Sequence, residues 1–259
     1  PLDRNHCQSL LTEGWWLDTT FKNWQPAGCM MQTYKATDTT RCLANSHVLF
    51  VGDSIVRGQL LAMAKKIDPN VTIGGEPHSD RLFQVSSGIS LEFWWDPFLN
   101  TTHTLQLLQG TAQIHPSLLV IGSGLWYLGH AKDSGGAPAW RTTIDRVVSQ
   151  ITDPALAPKI ASTILLAPVE TPEISLLNPT RLSLLSPSGI ASMNDHLQTY
   201  SHSVAIPFAW NRMVEQSTLQ TEDGLHFGDL VSKNSMVSEH GVSILLGMGA
   251  IGNLSSFSW

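Results

Sequence analysis

Short apolar runs recur along this chain. In the longer stretches between them, an apolar residue occurs every three or four positions. We predict strands at four of the runs, residues 47–50, 89–95, 118–121 and 163–166, and a weaker strand at 203–206. Mostly apolar runs of this length are typical of strands that are buried on both faces of a parallel sheet.

The stretches between the runs have the spacing of amphipathic helices. After position 54 one helix face is formed by Val56, Leu60, Met63 and Ile67, and Asp68-Pro69-Asn70 ends that helix. Further helices are predicted near 144–151, near 190–200 and over about 230–248, with a surface loop at 134–138. Strands alternating with such helices predict an α/β fold whose mostly parallel sheet is covered on both faces.

We expect a single domain over residues 1–259, because a chain of this length with 42% hydrophobic residues can form one substantial core. Residues 1–46 show no sustained periodicity and are predicted to be an irregular segment wrapped over that core. Trp15, Trp16 and Trp24 are interpreted as its anchors rather than as ligand platforms.

Two short motifs give this fold a candidate chemistry: Gly52-Asp53-Ser54 after the first run, and Asp223-Gly224-Leu225-His226 near the other end. A strand that ends at the first motif and passes into a helix leaves the serine hydroxyl at a helix N-terminus, where backbone N–H groups stabilise an oxyanion. The second motif offers an imidazole base and a carboxylate that holds its tautomer. Each motif also has a plainer interpretation, as a turn or a helix cap. Together they favour Ser54, Asp223 and His226 as a catalytic triad.

Charge and histidine spacing exclude other classes of function. The net charge is −6 and only 14% of residues are charged, so no basic field for nucleic acid is expected. None of the ten histidines has the His-x-x-x-His spacing of a metal site, and no Cys-x-x-Cys is present. Isolated histidines such as His78, His103, His130, His196 and His202 are interpreted as surface or capping residues.

The cysteines and sequons point to the secretory pathway. Three acceptor sequons begin at Asn70, Asn100 and Asn253. All three cysteines fall within the first 42 residues, and we favour a disulfide between Cys7 and Cys29. Cys42 is then either a buried free thiol or the partner of something outside this chain. No apolar stretch approaches the roughly 20 residues that span a bilayer, and the opening residues lack signal-peptide character.

Several segments, in order along the chain, resemble one family. The segments 24–31, 47–57 and 223–226 are similar to the luminal catalytic domain of the sialate O-acetyltransferases and fungal capsule polysaccharide O-acetyltransferases, in the PC-esterase branch of the SGNH (GDSL-like) hydrolases. Glu92-Phe93-Trp94-Trp95-Asp96-Pro97-Phe98-Leu99 and Gly122-Ser123-Gly124-Leu125-Trp126-Tyr127 are more distantly similar to plant xylan O-acetyltransferases.

The resemblance implies a three-layer α/β/α sandwich in which Ser54 is the nucleophile, His226 the base and Asp223 the acid that orients it. It also implies an acetyl-serine intermediate, an acetyl donor such as acetyl-CoA with no bound cofactor, and a sugar hydroxyl on a glycan or polysaccharide as acceptor. Family members act in the Golgi lumen and are often fused to a multi-pass membrane domain, so the chain is expected to be an excised luminal domain or a secreted paralogue.

The chain departs from the wider SGNH pattern at the loop 122–124, where that superfamily has an oxyanion-hole asparagine. We therefore predict an oxyanion hole built from backbone N–H groups of Ser54 and Gly88. Arg57 matches an arginine that recurs shortly after the family's Gly-Asp-Ser, but it is equally compatible with a surface helix position. Trp126 either stacks on a sugar or packs in the core, whereas Trp94 and Trp95 are interpreted as core residues.

Two alternative functions remain open at this point. A carbohydrate O-acetylesterase would form the same acetyl-serine and pass it to water. A glycan-binding module without catalysis is the other alternative, and an intact Ser54, Asp223 and His226 counts against it.

Overall fold

The computed structural model describes residues 12–17, 19, 24–27, 36–216, 221 and 223–226. The strands in this part of the chain are β1 Gly14–Trp16, β2 Trp24–Pro26, β3 His47–Gly52, β4 Arg81–Val85, β5 Ile89–Trp95, β6 Leu118–Gly122 and β7 Ile164–Leu166. The α-helices there are α1 Ala36–Cys42, α2 Ser54–Ile67, α3 Thr102–Leu108, α4 Leu125–Gly129, α5 Ala131–Ser134, α6 Gly136–Thr152, α7 Ala157–Ile160, α8 Pro179–Leu184, α9 Pro187–Gln198 and α10 Ala209–Gln216.

Five strands form the central sheet in the order β4-β5-β3-β6-β7. The strands β5, β3, β6 and β7 run parallel to one another, and β4 is an antiparallel edge strand beside β5. The mostly parallel sheet predicted from the apolar runs is therefore confirmed. The weaker strand predicted at 203–206 is reduced to one isolated bridge, in which Ala205 pairs with Leu165 beyond β7.

The central strand β3 shows why both faces of the sheet need helices. Its side chains alternate, so that Leu49 and Val51 enter one buried cluster while Val48 and Phe50 enter the other. The first cluster also contains Trp140 and neighbouring apolar residues of α6 together with those of α9, whereas the second contains the apolar faces of α2 and α10. Helices thus cover both faces, as an α/β/α sandwich requires.

Three parallel strands end at one edge of this sheet, which we call the carboxyl edge. Gly52 at the end of β3 pairs with Trp95 of β5 on one side and with Gly122 of β6 on the other. A Cβ atom at Gly52 would lie 2.1 Å from the Gly122 carbonyl oxygen, so a larger residue would separate the strands here. The loops that follow these strands therefore converge on one small region, as in other open α/β sheets.

Other predictions from the sequence are corrected or lie outside the description. The segment 1–46 is not wholly irregular, because β1 and β2 pair antiparallel and α1 precedes β3. Trp24 is buried as predicted, whereas Trp15 is 49% exposed. The loop predicted at 134–138 is a junction of two helices around Gly135, whose φ of 82° suits glycine. The helix predicted at 230–248 lies outside the described residues. Within the described part of the chain, no helix is long and apolar enough to cross a membrane.

Candidate active site

The turn after β3 brings Ser54 to the N-terminus of a 14-residue helix. Asp53 caps this helix, since its extended backbone ends the strand and its Oδ1 accepts a hydrogen bond of 3.0 Å from the Ile55 N–H. Ser54 is therefore the first helical residue, its N–H has no acceptor within the helix, and its side chain is half-buried at the carboxyl edge. A hydroxyl in this place is next to a group of backbone donors that favours negative charge.

The fold brings the predicted triad residues together, although Ser54 and His226 are 172 positions apart in the sequence. The Ser54 Oγ lies 2.9 Å from Nε2 of His226, and Nδ1 of the same ring lies 2.8 Å from Oδ2 of Asp223. Because an ionised carboxylate only accepts hydrogen bonds, the neutral ring carries its proton on Nδ1 and presents Nε2 as an acceptor to the serine hydroxyl. This arrangement can remove a proton from Ser54 and return it.

The carboxylate of Asp223 is held in its ionised form. Its Oδ1 accepts hydrogen bonds from the backbone N–H groups of Leu225 at 3.0 Å and His226 at 2.9 Å. Partial burial raises the pKa of Asp223, but these backbone donors and the His226 ring outweigh it and hold the pKa well below its usual range. The orienting group thus stays negative wherever the neighbouring imidazole is neutral.

Two buried carboxyls lie beneath the nucleophile's turn. Burial raises the pKa of Asp53 to about 6, although backbone N–H groups of Ile55, Val56 and Gly124 donate to it. Glu170 follows β7, is 7% exposed, and its Oε1 has no hydrogen-bond partner among the described residues. Burial raises the pKa of Glu170 to about 8, and the negative charges of Asp53 and Glu215 add to this effect. Glu170 is therefore mostly protonated at neutral pH.

An aromatic cluster forms one wall beside the carboxyl edge. We define it as His78, Trp95, Trp126 and His130. The Trp95 and Trp126 rings meet edge to face with centroids 5.2 Å apart, His78 stacks on Trp95 at 4.4 Å, and His130 stacks on Trp126 at 4.7 Å. Both tryptophans are half-buried and both histidines are exposed, so Trp95 is not the core residue that the sequence predicted.

Arg57 lies between the nucleophile and this cluster. It occupies the first turn of α2, where its N–H donates to the Asp53 carbonyl, and its guanidinium carbon lies 5.8 Å from the centroid of the Trp95 ring. That distance is within the range of a cation–π interaction. Arg57 and Trp126, both predicted to bind substrate, are thus brought to the same wall of the site; their role in binding stays a prediction.

The prediction that Gly88 contributes to the oxyanion hole is wrong. Gly88 directly precedes the seven-residue strand β5, which pairs parallel with β3 over six residues, so it lies at the opposite edge of the sheet, about 20 Å from the strand ends. Its neighbour there is Asn45, whose Oδ1 would be 2.7 Å from a Cβ atom placed on Gly88. The backbone N–H of Ser54 remains the predicted donor.

The loop 122–124 supplies no side-chain donor in place of the missing asparagine. The Ser123 hydroxyl donates to the Pro97 carbonyl, and the Gly124 N–H is directed at the Asp53 carboxyl rather than at Ser54. Among the described residues there is also no group of three histidine, cysteine or acidic side chains that could hold a metal ion. The functional groups that the described residues bring to this edge are the hydroxyl, the imidazole and the carboxylates.

The remaining predicted sites are not part of the triad or lie outside the described residues. Asn70 and Asn100 are exposed, as glycan attachment requires, whereas Asn253 lies outside the described residues. Cys7 and Cys29 also lie outside them, so their disulfide stays a prediction. Cys42 is exposed on α1, which rules out the buried thiol that the sequence left open.

Sequence reasoning missed Asp53, Glu170, Arg181 and the two stacking histidines as members of this region. Asp53 had a signal, because an aspartate before a predicted helix is a typical N-cap. Glu170 and Arg181 had none, since each reaches the site through the tertiary fold alone.

No protein-family model matches the chain. Among solved structures, an alpha/beta hydrolase from the metagenome of Lake Arreo is similar with a TM-score of 0.41 at 14% identity, covering 76% of this chain and 96% of that one. The fold assignment made above depends on the strand order and the helical layers alone.

Curated relatives are found by sequence. The N-acetylneuraminate (7)9-O-acetyltransferase of Danio rerio is 25% identical over 248 residues, which are 90% of this chain and 31% of the relative. "Probable xylan O-acetyltransferase 10" of Oryza sativa subsp. japonica is 26% identical over 43% of this chain and 30% of the relative. Xyloglucan O-acetyltransferase 2 of Populus trichocarpa is 32% identical over 29% of this chain and 19% of the relative.

The chain therefore spans less than a third of the length of each of these relatives. The similarity to the first of them nevertheless extends over nine-tenths of this chain and includes both motifs of the candidate site. The resemblance drawn from the motifs is thus confirmed, and the chain is related to the sialate O-acetyltransferases and, more distantly, to the plant xylan O-acetyltransferases.

Proposed function

We propose that this chain is a glycan O-acetyltransferase that moves an acetyl group through Ser54 onto a sugar hydroxyl. The observation that carries the proposal is the continuous line of hydrogen bonds from Ser54 through His226 to Asp223. The relatives named above, which are O-acetyltransferases for N-acetylneuraminate, xylan and xyloglucan, support the choice of a glycan acceptor.

In the first half of the reaction, the Ser54 Oγ attacks the carbonyl carbon of an acetyl donor while Nε2 of His226 takes the hydroxyl proton. The developing oxyanion is stabilised at the N-terminus of α2, where the Ser54 N–H is free of intrahelical bonding. The tetrahedral species collapses, the bond to the donor breaks, and the imidazolium returns its proton to the leaving group. The product of this half is acetyl-Ser54.

In the second half, a sugar hydroxyl takes the place of the donor. His226 removes the hydroxyl proton as the sugar oxygen attacks the ester carbonyl, and then protonates the departing Ser54 Oγ. Asp223 stays ionised throughout, because its low pKa keeps it a hydrogen-bond acceptor for Nδ1. Side chains therefore handle both the acetyl group and the protons, and we propose no resident cofactor; acetyl-CoA is the candidate donor.

The aromatic cluster is the candidate platform for the acceptor. Half-buried tryptophan rings offer a face or edge to the C–H side of a sugar ring, and exposed histidines and Arg57 offer hydrogen-bond donors to its hydroxyls. We assign Trp126 and Arg57 to acceptor binding on this ground. Retention of the acceptor here, close to the Ser54 hydroxyl, would favour transfer over loss of the acetyl group to water.

We further propose that the chain works in the lumen of the secretory pathway, in the Golgi or after secretion. Exposed sequon asparagines at Asn70 and Asn100 support this placement. The length of the relatives, more than three times the matched segment in each case, is compatible with a further domain, such as a multi-pass membrane domain, in the complete protein.

The proposal is tested by following the acetyl group. The purified chain is incubated with acetyl-CoA or with a chromogenic acetyl ester, with and without sialylated or xylan oligosaccharides. The masses of both the protein and the glycan are then measured by mass spectrometry. We expect an acetyl adduct on the protein that disappears in Ser54→Ala, and acetylated glycan when a suitable acceptor is present. The exposed serine variant Ser183→Ala is the matched control and should retain both.

Two results would redirect or overturn the proposal. Release of acetate at the same rate with and without every glycan would favour the acetylesterase, in which water resolves the same intermediate. Full turnover by Ser54→Ala would overturn the assignment of Ser54 as nucleophile.

A further inference from the structure

A cation lies directly behind the candidate triad. Arg181 is on α8, and its Nη1 donates to Oδ2 of Asp223 at 3.0 Å and to the Asp223 carbonyl oxygen at 3.5 Å. The backbone of Arg181 is itself fixed, because its N–H donates to Oδ1 of the helix-capping Asn178 at 2.9 Å. The guanidinium therefore extends from an anchored helix start to the loop that contains the triad acid.

The two oxygens of Asp223 have different partners. Oδ1 accepts the backbone N–H groups of Leu225 and His226, so it holds the local turn. Oδ2 accepts a hydrogen bond from Nδ1 of His226 at 2.8 Å, and Arg181 donates to this same oxygen. The guanidinium and the imidazole thus share one acceptor atom, and their nitrogens are no more than about 6 Å apart, a distance at which two charges interact.

Other contacts dock the same loop against the segment before α8. The Glu173 N–H donates to the Gly224 carbonyl at 2.8 Å, and Leu225 is buried in the core. These contacts fix the loop whether or not Arg181 is present. Arg181 is therefore not needed to keep the loop attached, and its bond to Oδ2 has a more specific consequence for the carboxylate that orients His226.

We propose that Arg181 is a positioning residue that acts through Asp223. It fixes the Oδ2 atom on which the His226 tautomer depends, and its positive charge opposes the formation of imidazolium. The inference rests on the proposed function, since it assigns a role to Arg181 in the same proton transfer.

The charged and titratable groups around His226 in the described part of the chain bear on this effect. They are Asp223 on its own loop, Arg181 on α8, Asp53 at the start of α2 with Glu170 behind it, and the exposed Glu173. Arg57, in the first turn of α2, is a second cation near Ser54, but Arg181 is the one that donates to the carboxylate of Asp223. Its removal takes away the positive charge that shares Oδ2 with the imidazole, and protonation of the ring becomes easier.

A surface ion pair would have a different signature. Arg181 and Asp223 are 40% and 37% exposed, and exposed pairs of this kind contribute little to stability. If Arg181 were only such a pair, its loss would change the melting temperature slightly and leave the pH dependence of the reaction unchanged. The pH profile therefore separates positioning from a merely structural role.

The test compares Arg181→Gln with the charge-conserving Arg181→Lys, with Asp223→Asn, and with the double variant of Arg181→Gln and Asp223→Asn. Arg41→Gln is the matched control, because Arg41 forms an exposed pair with Asp38 at 3.4 Å on α1, which precedes the amino end of β3. Initial rates with a chromogenic acetyl ester are measured from pH 5 to 9 to give kcat and KM, and the titration midpoint of His226 is measured by NMR on each protein.

We expect Arg181→Gln to lower kcat about tenfold with little change in KM, as small displacements of an orienting group do. The acid limb of its kcat profile and the NMR midpoint of His226 should both move to higher pH by about 0.5 to 2 units, the effect of one charge at about 6 Å for a dielectric between that of water and that of a protein surface. Arg181→Lys should restore the position of the limb. In the Asp223→Asn background the same substitution should change kcat less than about twofold, because its effect passes through Asp223.

An unmoved acid limb and an unmoved His226 midpoint in Arg181→Gln would overturn the inference, as would an equal loss of kcat in both backgrounds. Those results would leave the Ser54 adduct of the wild-type chain in place. Failure of the proposed function is recognised separately by absence of that adduct, and the NMR midpoint still decides the role of Arg181 in that case.

Discussion

Glu170 makes the fold's stability depend on pH, and Glu170→Gln should remove that dependence. The side chain is 7% exposed and burial raises its pKa from 4.5 to about 8. Between these two values the folded chain holds the proton and the unfolded chain has released it. The free energy of unfolding therefore falls as pH rises through this window, and the stabilisation present below about 4.5 is lost above about 8.

The size of the effect follows from the shift itself. Each pKa unit corresponds to about 1.36 kcal/mol, so the full shift from 4.5 to about 8 amounts to about 5 kcal/mol. Domains of this kind are stable by only about 5 to 15 kcal/mol, so one carboxyl accounts for a substantial part of the total. For a chain of this size, that corresponds to a melting temperature lowered by about 10 to 20 °C.

The assay is thermal unfolding of wild-type and Glu170→Gln proteins from pH 5 to 9. We expect the melting temperature of the wild-type chain to fall more steeply with pH, and the two curves to separate progressively above pH 5. Glu173→Gln is the matched control: the Ser175 side chain holds the pKa of Glu173 below its usual range, so this residue stays ionised throughout the assay. Parallel curves for wild-type and Glu170→Gln would refute the reasoning.

Three further predictions concern the site and the compartment. Asp223→Asn should lower turnover by at least about 100-fold while costing about 1 kcal/mol of stability or less, as measured by initial rate and melting temperature on one preparation; a near-normal rate would remove Asp223 from the triad. Trp126→Leu should raise the KM for a glycan acceptor about fivefold to tenfold without changing ester hydrolysis, and an unchanged acceptor KM would return Trp126 to a packing role. Expression through a secretory host should give a mass that falls by one glycan in each of Asn70→Gln and Asn100→Gln, whereas a bare chain would contradict the secretory assignment.

The parallel core of the fold was readable from the sequence because its strands are buried on both faces. A strand such as β3 must be apolar at successive positions, since Leu49 and Phe50 enter different cores. The edge strand β4 has no such requirement: it contains Arg81 and Gln84, its Leu82 is 60% exposed, and its pairing with β5 depends on the tertiary fold. The run 203–206 forms no strand of its own, because only Ala205 pairs, in an isolated bridge with Leu165.

The candidate site was predictable where local sequence dictates geometry and unpredictable where only the fold does. Ser54 follows a strand and starts a helix, and Asp223 and His226 are three residues apart, so each placement is encoded locally. Gly88 was misplaced although the predicted strand at 89–95 already implied its position, since a residue before a parallel strand lies at the amino edge. Glu170 approaches the site from the loop after β7 and Arg181 from α8, and nothing in their flanking residues indicates it.

These two residues connect the stability of the fold to its chemistry. Glu170 lies behind Asp53, and Asp53 joins the nucleophile's turn to the loop after β6 through the N–H groups of Ile55 and Gly124. Ionisation of Glu170 at alkaline pH therefore places a second negative charge beside the carboxyl on which the position of Ser54 depends. The alkaline limb of any rate profile then contains a structural contribution in addition to the proton transfers of the reaction. The acid limb is different in origin, because protonation of His226, opposed by Arg181, removes the base directly. Glu170→Gln should accordingly extend the pH range of activity on the alkaline side alone. Arg181→Gln should narrow that pH range on the acid side alone.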